Sequence, residues 1–319
     1  MLKIQSIWEA NGNIRDFAGV TPILHSQALQ SDLGLQLFLK AENLQTTNSF
    51  KIRGASNCIV KQLRSTPNLQ GVVTASSGNH GQAVAYVANR LGIPATIIMP
   101  ETAPKAKVQA VSRWGANVEF CGTTSQQRLA RSSEVALEKG YVEIPPYDHY
   151  DVIAGQGTIG KEILEQVPDV DIVAVPIGGG GLISGIATLI KNLRPKVQVI
   201  GVEPESSNSM SVSVNNGEIT QLEKTHSAAD GLLTLKPGSL TFPLVKKYVD
   251  KIVLVKEREI LDAISTCVQY FKTVPEPSGA VTIAAALKGN WAKDMKVVAV
   301  VSGGNFDMEK LPGFLCPQF

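Results

Sequence analysis

The sequence lacks most of the features that announce a function. Its four cysteines, Cys58, Cys121, Cys267 and Cys316, stand far apart and form no CxxC pair. That spacing speaks against a disulfide framework or cysteine-based zinc module and fits inert thiols in a reducing compartment. The four histidines, His25, His80, His149 and His226, make no HExxH motif, and no GxSxG elbow occurs. A zinc hydrolase and a serine hydrolase of the nucleophile-elbow type therefore have no support. Aromatic residues are only 6% of the chain and scattered, which disfavours a base-stacking platform. Thirty basic residues face 28 acidic ones, a formal charge of +2, so no strong field draws nucleic acid or an anionic membrane. No apolar run is long enough to span a bilayer, and charges sit too early in the N-terminus for a secretory h-region. A cytoplasmic protein without nucleic-acid or membrane partners is the expectation.

What is present is a chain of 319 residues, 44% of them hydrophobic, enough to divide into two lobes. From residue 71 onward, β-branched runs alternate with helical patterns. GVVTA at 71–75 precedes a helix over 79–90, IPATIIMP at 93–100 a helix over 104–114, and NVEFC at 117–121 a helix over 125–138. The rhythm restarts with DIVAVPI at 171–177, a helix over 182–193 and VQVIGVEP at 197–204. KIVLV at 251–255 and MKVVAVVSG at 295–303 follow, separated by helices over 257–271 and 278–288. This is the signature of strand–crossover–strand units, and it predicts an α/β fold with two parallel-rich central sheets. Residues 205–245 read as a helix mixed with surface loops.

Ligand loops in such sheets lie beyond the carboxyl ends of strands. Gly178-Gly179-Gly180-Gly181 follows the strand at 171–177, where residues without Cβ and a helix N-terminus can cradle an anion. The run also reads as a plain strand-to-helix turn, and it matches neither GxGxxG nor the GK[ST] ending of a P-loop. Ser76-Ser77-Gly78-Asn79-His80-Gly81, after the strand at 71–75, reads equally as an N-cap or a carboxylate-binding loop. Lys51, within NSFKIRG, is either an exposed lysine at a helix start or, if desolvated, a nucleophile. Ser302 ends the last strand, as a ligand contact or part of a terminal turn.

Together, NSFKIRGA, ASSGNHGQAVA, IAGQGT, GGGG and VVSGGN resemble, in order, the serine racemase and serine/threonine dehydratase family of fold-type II pyridoxal-phosphate enzymes. The resemblance runs through nearly the whole chain and implies a homodimer. It also implies a large cofactor-binding domain (1–66 and 150–319) interrupted by a small substrate-binding domain (67–149). It makes Lys51 the Schiff-base lysine, with Phe50 packed by the cofactor ring. Asn79 would meet the ring's phenolic oxygen, Gly178, Gly179, Gly180 and Gly181 the phosphate, and Ser302 the pyridine nitrogen. Ser76, Ser77, Asn79 and His80 would surround the substrate carboxylate, and Arg128 matches a position that contacts substrate in racemases.

The implied chemistry is β-elimination from L-serine or L-threonine, with Lys51 removing the α-proton. Ser77 stands where racemases carry serine and many threonine dehydratases alanine, so it is a candidate proton donor on the opposite face, giving serine racemisation. A dedicated serine racemase, a 3-hydroxyaspartate dehydratase and a non-catalytic protein that binds pyridoxal phosphate or an amino acid are the alternatives. Glu203 and Ser207 resemble the strand end where racemases hold Mg²⁺ or another divalent cation, but Ser209 replaces an expected aspartate. Tyr147 and Asn48 depart from the pattern, standing for an asparagine near the substrate and a common glycine beside the lysine motif. The segment after Asn305 is too short for an amino-acid-binding effector domain.

Overall fold

The computed structural model describes residues 2–76, 78–289, 291–292 and 294–315. Along the chain its strands are β1 (Ile23–His25), β2 (Gln36–Ala41), β3 (Val72–Ala75), β4 (Ala95–Met99), β5 (Asn117–Phe120), β6 (Val142–Glu143), β7 (Ile172–Pro176), β8 (Gln198–Pro204), β9 (Lys251–Val255) and β10 (Lys296–Val301). The first helices are α1 (Ile4–Asn13), α2 (Gln27–Leu33), α3 (Lys51–Ser65), α4 (Asn79–Leu91), α5 (Lys105–Ser112) and α6 (Ser125–Lys139). They are followed by α7 (Tyr150–Gln166), α8 (Gly181–Leu193), α9 (Ser209–Asn216), α10 (Thr241–Tyr248), α11 (Glu257–Thr266), α12 (Pro277–Lys288) and α13 (Leu311–Leu315). The strands read from β-branched runs all appear, shortened by a residue or two where the chain enters a turn. The helix expected over 257–271 is α11 with its last five residues, Cys267–Phe271, wound as a π-helix that stops at Lys272 with φ +56°.

Two sheets form. The smaller has the order β5-β4-β3-β6, and every pair in it is parallel. The larger has the order β1-β2-β10-β7-β8-β9. It is mixed rather than wholly parallel, because β1 and β2 run antiparallel at one edge. Buried side chains fill both faces of the larger sheet, as a sheet covered by helices requires. The core of the smaller sheet draws Ile52, Ala55 and Ile59 from α3 and Val152 from α7. Thus α3, which begins at Lys51, packs against both the smaller sheet's helix α4 and the larger sheet's helix α7.

A buried ionic cluster fixes α3. Arg53 donates from Nε to Glu42 at 2.8 Å and from Nη1 to Glu162 at 2.6 Å, while Lys40 donates to Glu162 at 2.6 Å. Two cations face two carboxylates in bidentate geometry, so the group is formally neutral inside the protein.

No helix among the described residues is long and apolar enough to cross a membrane. Cys58, Cys121 and Cys267 are free thiols, and Cys316 lies outside the described residues. Burial pushes Cys58 and Cys267 up to about 12, which keeps them protonated and inert.

Candidate active site

Lys51 is the first residue of α3, and its Nζ donates to the carbonyl of Pro146 at 2.7 Å. Desolvation lowers its ammonium from 10.5 to about 8, with the nearby Glu276 carboxyl opposing the shift. The backbone before it is held by the end of β10: Phe50 N–H donates to Ser302 O at 3.1 Å, and Ser49 bridges Gly303. The turn passes through Asn48 with φ +53°, a left-handed conformation that favours glycine and that asparagine tolerates better than most residues. This accounts for asparagine at a position where glycine is common.

The carbonyl that receives Lys51 precedes Tyr147, and Tyr147 lies on the glycine-rich loop. A Cβ placed on Gly179 would sit 2.4 Å from the Tyr147 ring, and one on Gly181 would sit 2.9 Å from Tyr147 Cβ. Gly180 has φ +93° and caps α8. The first N–H groups of α8 have no acceptor inside the helix. The next loop residue, Asp148, accepts from Ser239 N and Leu240 N at 2.8 Å each, and Thr241 Oγ1 donates to Gly179 O at 2.6 Å. These contacts tie the start of α10 to the same loop. Sequence inspection gave no sign of Asp148 or Thr241.

In the loop after β3, Ser76 Oγ accepts from Gly78 N at 3.3 Å and Gly81 N at 3.0 Å. Its lone pairs thus organise the start of α4, while its hydrogen remains a donor. His80 donates from Nε2 to Ile144 O at 2.9 Å, so Nδ1 carries the lone pair; that atom has no partner among the described residues. Burial and the nearby Lys51 lower His80 to about 3. A neutral ring with a lone pair at Nδ1 cannot donate to a carboxylate there; the backbone N–H of His80, at the helix start, can. Ser77 lies outside the described residues.

Asn79 reaches the end of β10. Its Nδ2 donates to Glu276 Oε1 at 2.7 Å, and its Oδ1 accepts from Asn305 Nδ2 at 2.9 Å. Ser302 is buried, with Oγ donating to Ser278 O at 3.3 Å. Glu276 is only 3% exposed, and burial raises it to about 8. Glu276 was not expected from sequence, because its local pattern is an ordinary helix start, and Asn305, the last residue of VVSGGN, was given no role there.

The expected residues Phe50, Lys51, Asn79, Gly178–Gly181 and Ser302 are thus linked through short contacts. Arg128 is not joined to them: on α6 it donates to Thr123 O at 3.4 Å and Ser125 Oγ at 3.1 Å. Glu203 is also elsewhere, fully buried, with its two oxygens accepting from Met210 N and Ser211 N at 2.9 and 2.8 Å. Ser207 donates its hydroxyl to Leu232 O at 2.8 Å. Both carboxylate oxygens of Glu203 therefore cap α9, and among the described residues no three His, Cys, Asp or Glu side chains gather into a metal-binding group. This donor set does not fit a divalent cation, which takes several oxygen ligands.

The arrangement is a half-buried, desolvated amine of lowered proton affinity beside a glycine loop and a helix N-terminus, at the carboxyl ends of parallel strands. A family model described as pyridoxal-phosphate dependent enzyme matches residues 14–303, and the chain belongs to this family, in its two-lobed fold-type II form. Among its relatives, an L-threonine ammonia-lyase of Thermotoga maritima is 44% identical over 311 residues, covering 98% of this chain and 77% of that protein. A catabolic L-threonine dehydratase of Staphylococcus aureus is 42% identical over 320 residues, 99% of this chain and 92% of that one. The structure of maize serine racemase superposes with a TM-score of 0.93 at 40% identity, over 97% of this chain and 95% of the other. The residues present fit pyridoxal phosphate: an amine for its aldehyde, free helix amides for its phosphate and amide and hydroxyl groups for its ring.

Proposed function

We propose that this protein deaminates L-serine and L-threonine by β-elimination, releasing ammonia with pyruvate or 2-oxobutanoate, with serine racemisation as a slower reaction. The observation that carries the reading is the docking of Lys51 Nζ on Pro146 O, next to the tyrosine that packs on Gly179 and Gly181. The near-full-length identity to threonine ammonia-lyases supports this choice of substrates.

Held through Lys51, pyridoxal phosphate supplies the electron withdrawal that makes the substrate's α-proton acidic. The chain's residues do the rest. First-turn amides of α8, at 181–183, would bind the phosphate, and Asn79 would meet the ring's phenolic oxygen. Ser302 would offer the pyridine nitrogen a neutral hydroxyl, which would not force a proton onto it. The backbone amides opening α4 bind the substrate carboxylate, together with the Ser76 hydroxyl. Once the substrate amine has displaced it from the cofactor, Lys51, its proton affinity lowered to about 8, would take the α-proton as general base. Ser77 delivers a proton to the opposite face when racemisation competes with loss of the β-hydroxyl. Arg128, which donates to Thr123 O and Ser125 Oγ, is the candidate for a more distant substrate contact.

In this reading the small domain spans 67–149, the large domain 1–66 and 150–319, and the enzyme works as a cytoplasmic homodimer without nucleic-acid partners. The test is a time course with the purified holoenzyme that resolves pyruvate, ammonia and D-serine from L-serine, with L-threonine and 3-hydroxyaspartate alongside. Keto acid forming faster than D-serine is the expected result. D-serine forming faster makes the protein a dedicated racemase, which its likeness to the maize enzyme favours as the second reading.

A further inference from the structure

The side chains around Asn79 form a hydrogen-bond ladder in which each amide has one permitted orientation. At one end, Asn305 Nδ2 donates to Thr47 O at 2.8 Å; a backbone carbonyl only accepts, so the nitrogen of Asn305 must face it. The second hydrogen of that nitrogen goes to Asn79 Oδ1 at 2.9 Å. The oxygen of Asn79 therefore faces Asn305 and its nitrogen faces Glu276, 2.7 Å away. Asn48 Nδ2 lies 3.4 Å from Asn305 Oδ1 at the exposed end.

The backbone makes room for this ladder. A Cβ on Gly303 would fall 2.5 Å from Glu276 Oε1 and 3.1 Å from Asn79 Nδ2. The glycine is needed there for space and not for conformation, since its φ is not in the left-handed region.

We infer that Glu276 is a positioning residue: with Asn305 it holds the Asn79 amide in a single flip, leaving one Nδ2 hydrogen available to the cofactor ring. An amide turned over would present an oxygen to the ring's phenolic oxygen, two acceptors in contact. The inference rests on the functional reading above, in which Asn79 meets that oxygen. It adds Glu276, which no local sequence pattern marks, and gives Gly303 and Asn305 of the VVSGGN run roles in the same device.

The experiment compares the wild-type holoenzyme with Glu276→Gln, Glu276→Met and Gly303→Ala. It measures the visible absorbance of the bound cofactor, its dissociation constant by titration with pyridoxal phosphate, and the melting temperature. Glu276→Gln keeps an oxygen acceptor and is expected to retain the wild-type spectrum and affinity within about threefold. Glu276→Met and Gly303→Ala are expected to shift the absorbance and weaken cofactor binding about tenfold, the size of one lost buried hydrogen bond. A Met variant with unchanged spectrum and affinity overturns the inference. So do equal losses in the Gln and Met variants that track their melting temperatures, because that is a purely structural role. A wild-type protein that takes up no cofactor overturns the functional reading itself.

Discussion

Lys51 and His80 show how one buried space moves two residue types in the same direction, since desolvation disfavours the charged form of each. Lys51→Ala removes the amine, so the visible absorbance of bound cofactor and both turnover reactions are expected to fall to background; a spectrum unchanged from wild type refutes its role. For His80 the sign follows from its depressed value. Its stability contribution is present above its unfolded value of 6.5 and is lost as pH falls toward about 3, because the unfolded state takes up the proton first. His80→Gln is therefore expected to lose less melting temperature than wild type between about pH 7 and pH 4. Asn48 offers a third check: Asn48→Gly is expected to melt within a few degrees of wild type, while Asn48→Val loses about 1–2 kcal/mol in denaturant unfolding. Lys51 was legible only through the motif around it. Glu276 was not legible, and Asn305 was legible only as the end of a motif, since the role of each comes from a partner, Asn79, that lies some two hundred residues away in the chain.

Among the secondary-structure elements, those that alternate β-branched runs with turn residues were read closely, as at β3, β7 and β8. Two others hid for physical reasons. β2, QLFLKA, carries the fully buried Lys40, whose charge breaks an apolar pattern but is matched by Glu162. α7 is buried on nearly every side, so it has no polar face to give a helical period. It also contains Gly155-Gln156-Gly157-Thr158-Ile159-Gly160, which spells GxGxxG inside a helix. There the glycines serve close packing: a Cβ on Gly155 would meet Arg53 O at 2.4 Å, and one on Gly157 would meet Gly185 O at 3.0 Å. The Arg53 cluster is the element-level counterpart, joining β2, α3 and α7. Arg53→Leu leaves Glu42 without its cation in a dry interior. It is expected to cost about 3–5 kcal/mol, read as a lower denaturant midpoint. A loss below about 1 kcal/mol would mean that water reaches the cluster.

Across the whole molecule, composition foretold two α/β lobes but not how they share parts. The smaller sheet's core includes α3, and α3 starts at the lysine next to the larger sheet's last strand. A two-lobe reading from sequence cuts the chain at loops, whereas packing joins it through this helix. Relative movement of the sheets is therefore felt by the element that bears the reactive amine.

The pairing of β2 with β10 has a consequence in time. Phe38 and Val298 are register partners, so the middle of the larger sheet joins residues separated by most of the chain. The four strands of the smaller sheet, by contrast, all lie between Val72 and Glu143. On the ribosome, where synthesis runs at roughly 5–20 residues per second, the smaller sheet can assemble while β10 is still unmade. Ser302, Gly303 and Asn305 then arrive only with the end of β10 and complete the surroundings of a lysine synthesised long before. Nascent chains stalled before Lys296 are expected to protect residues 72–143 from protease while failing to retain pyridoxal phosphate, so the cofactor is captured only after β10 is made.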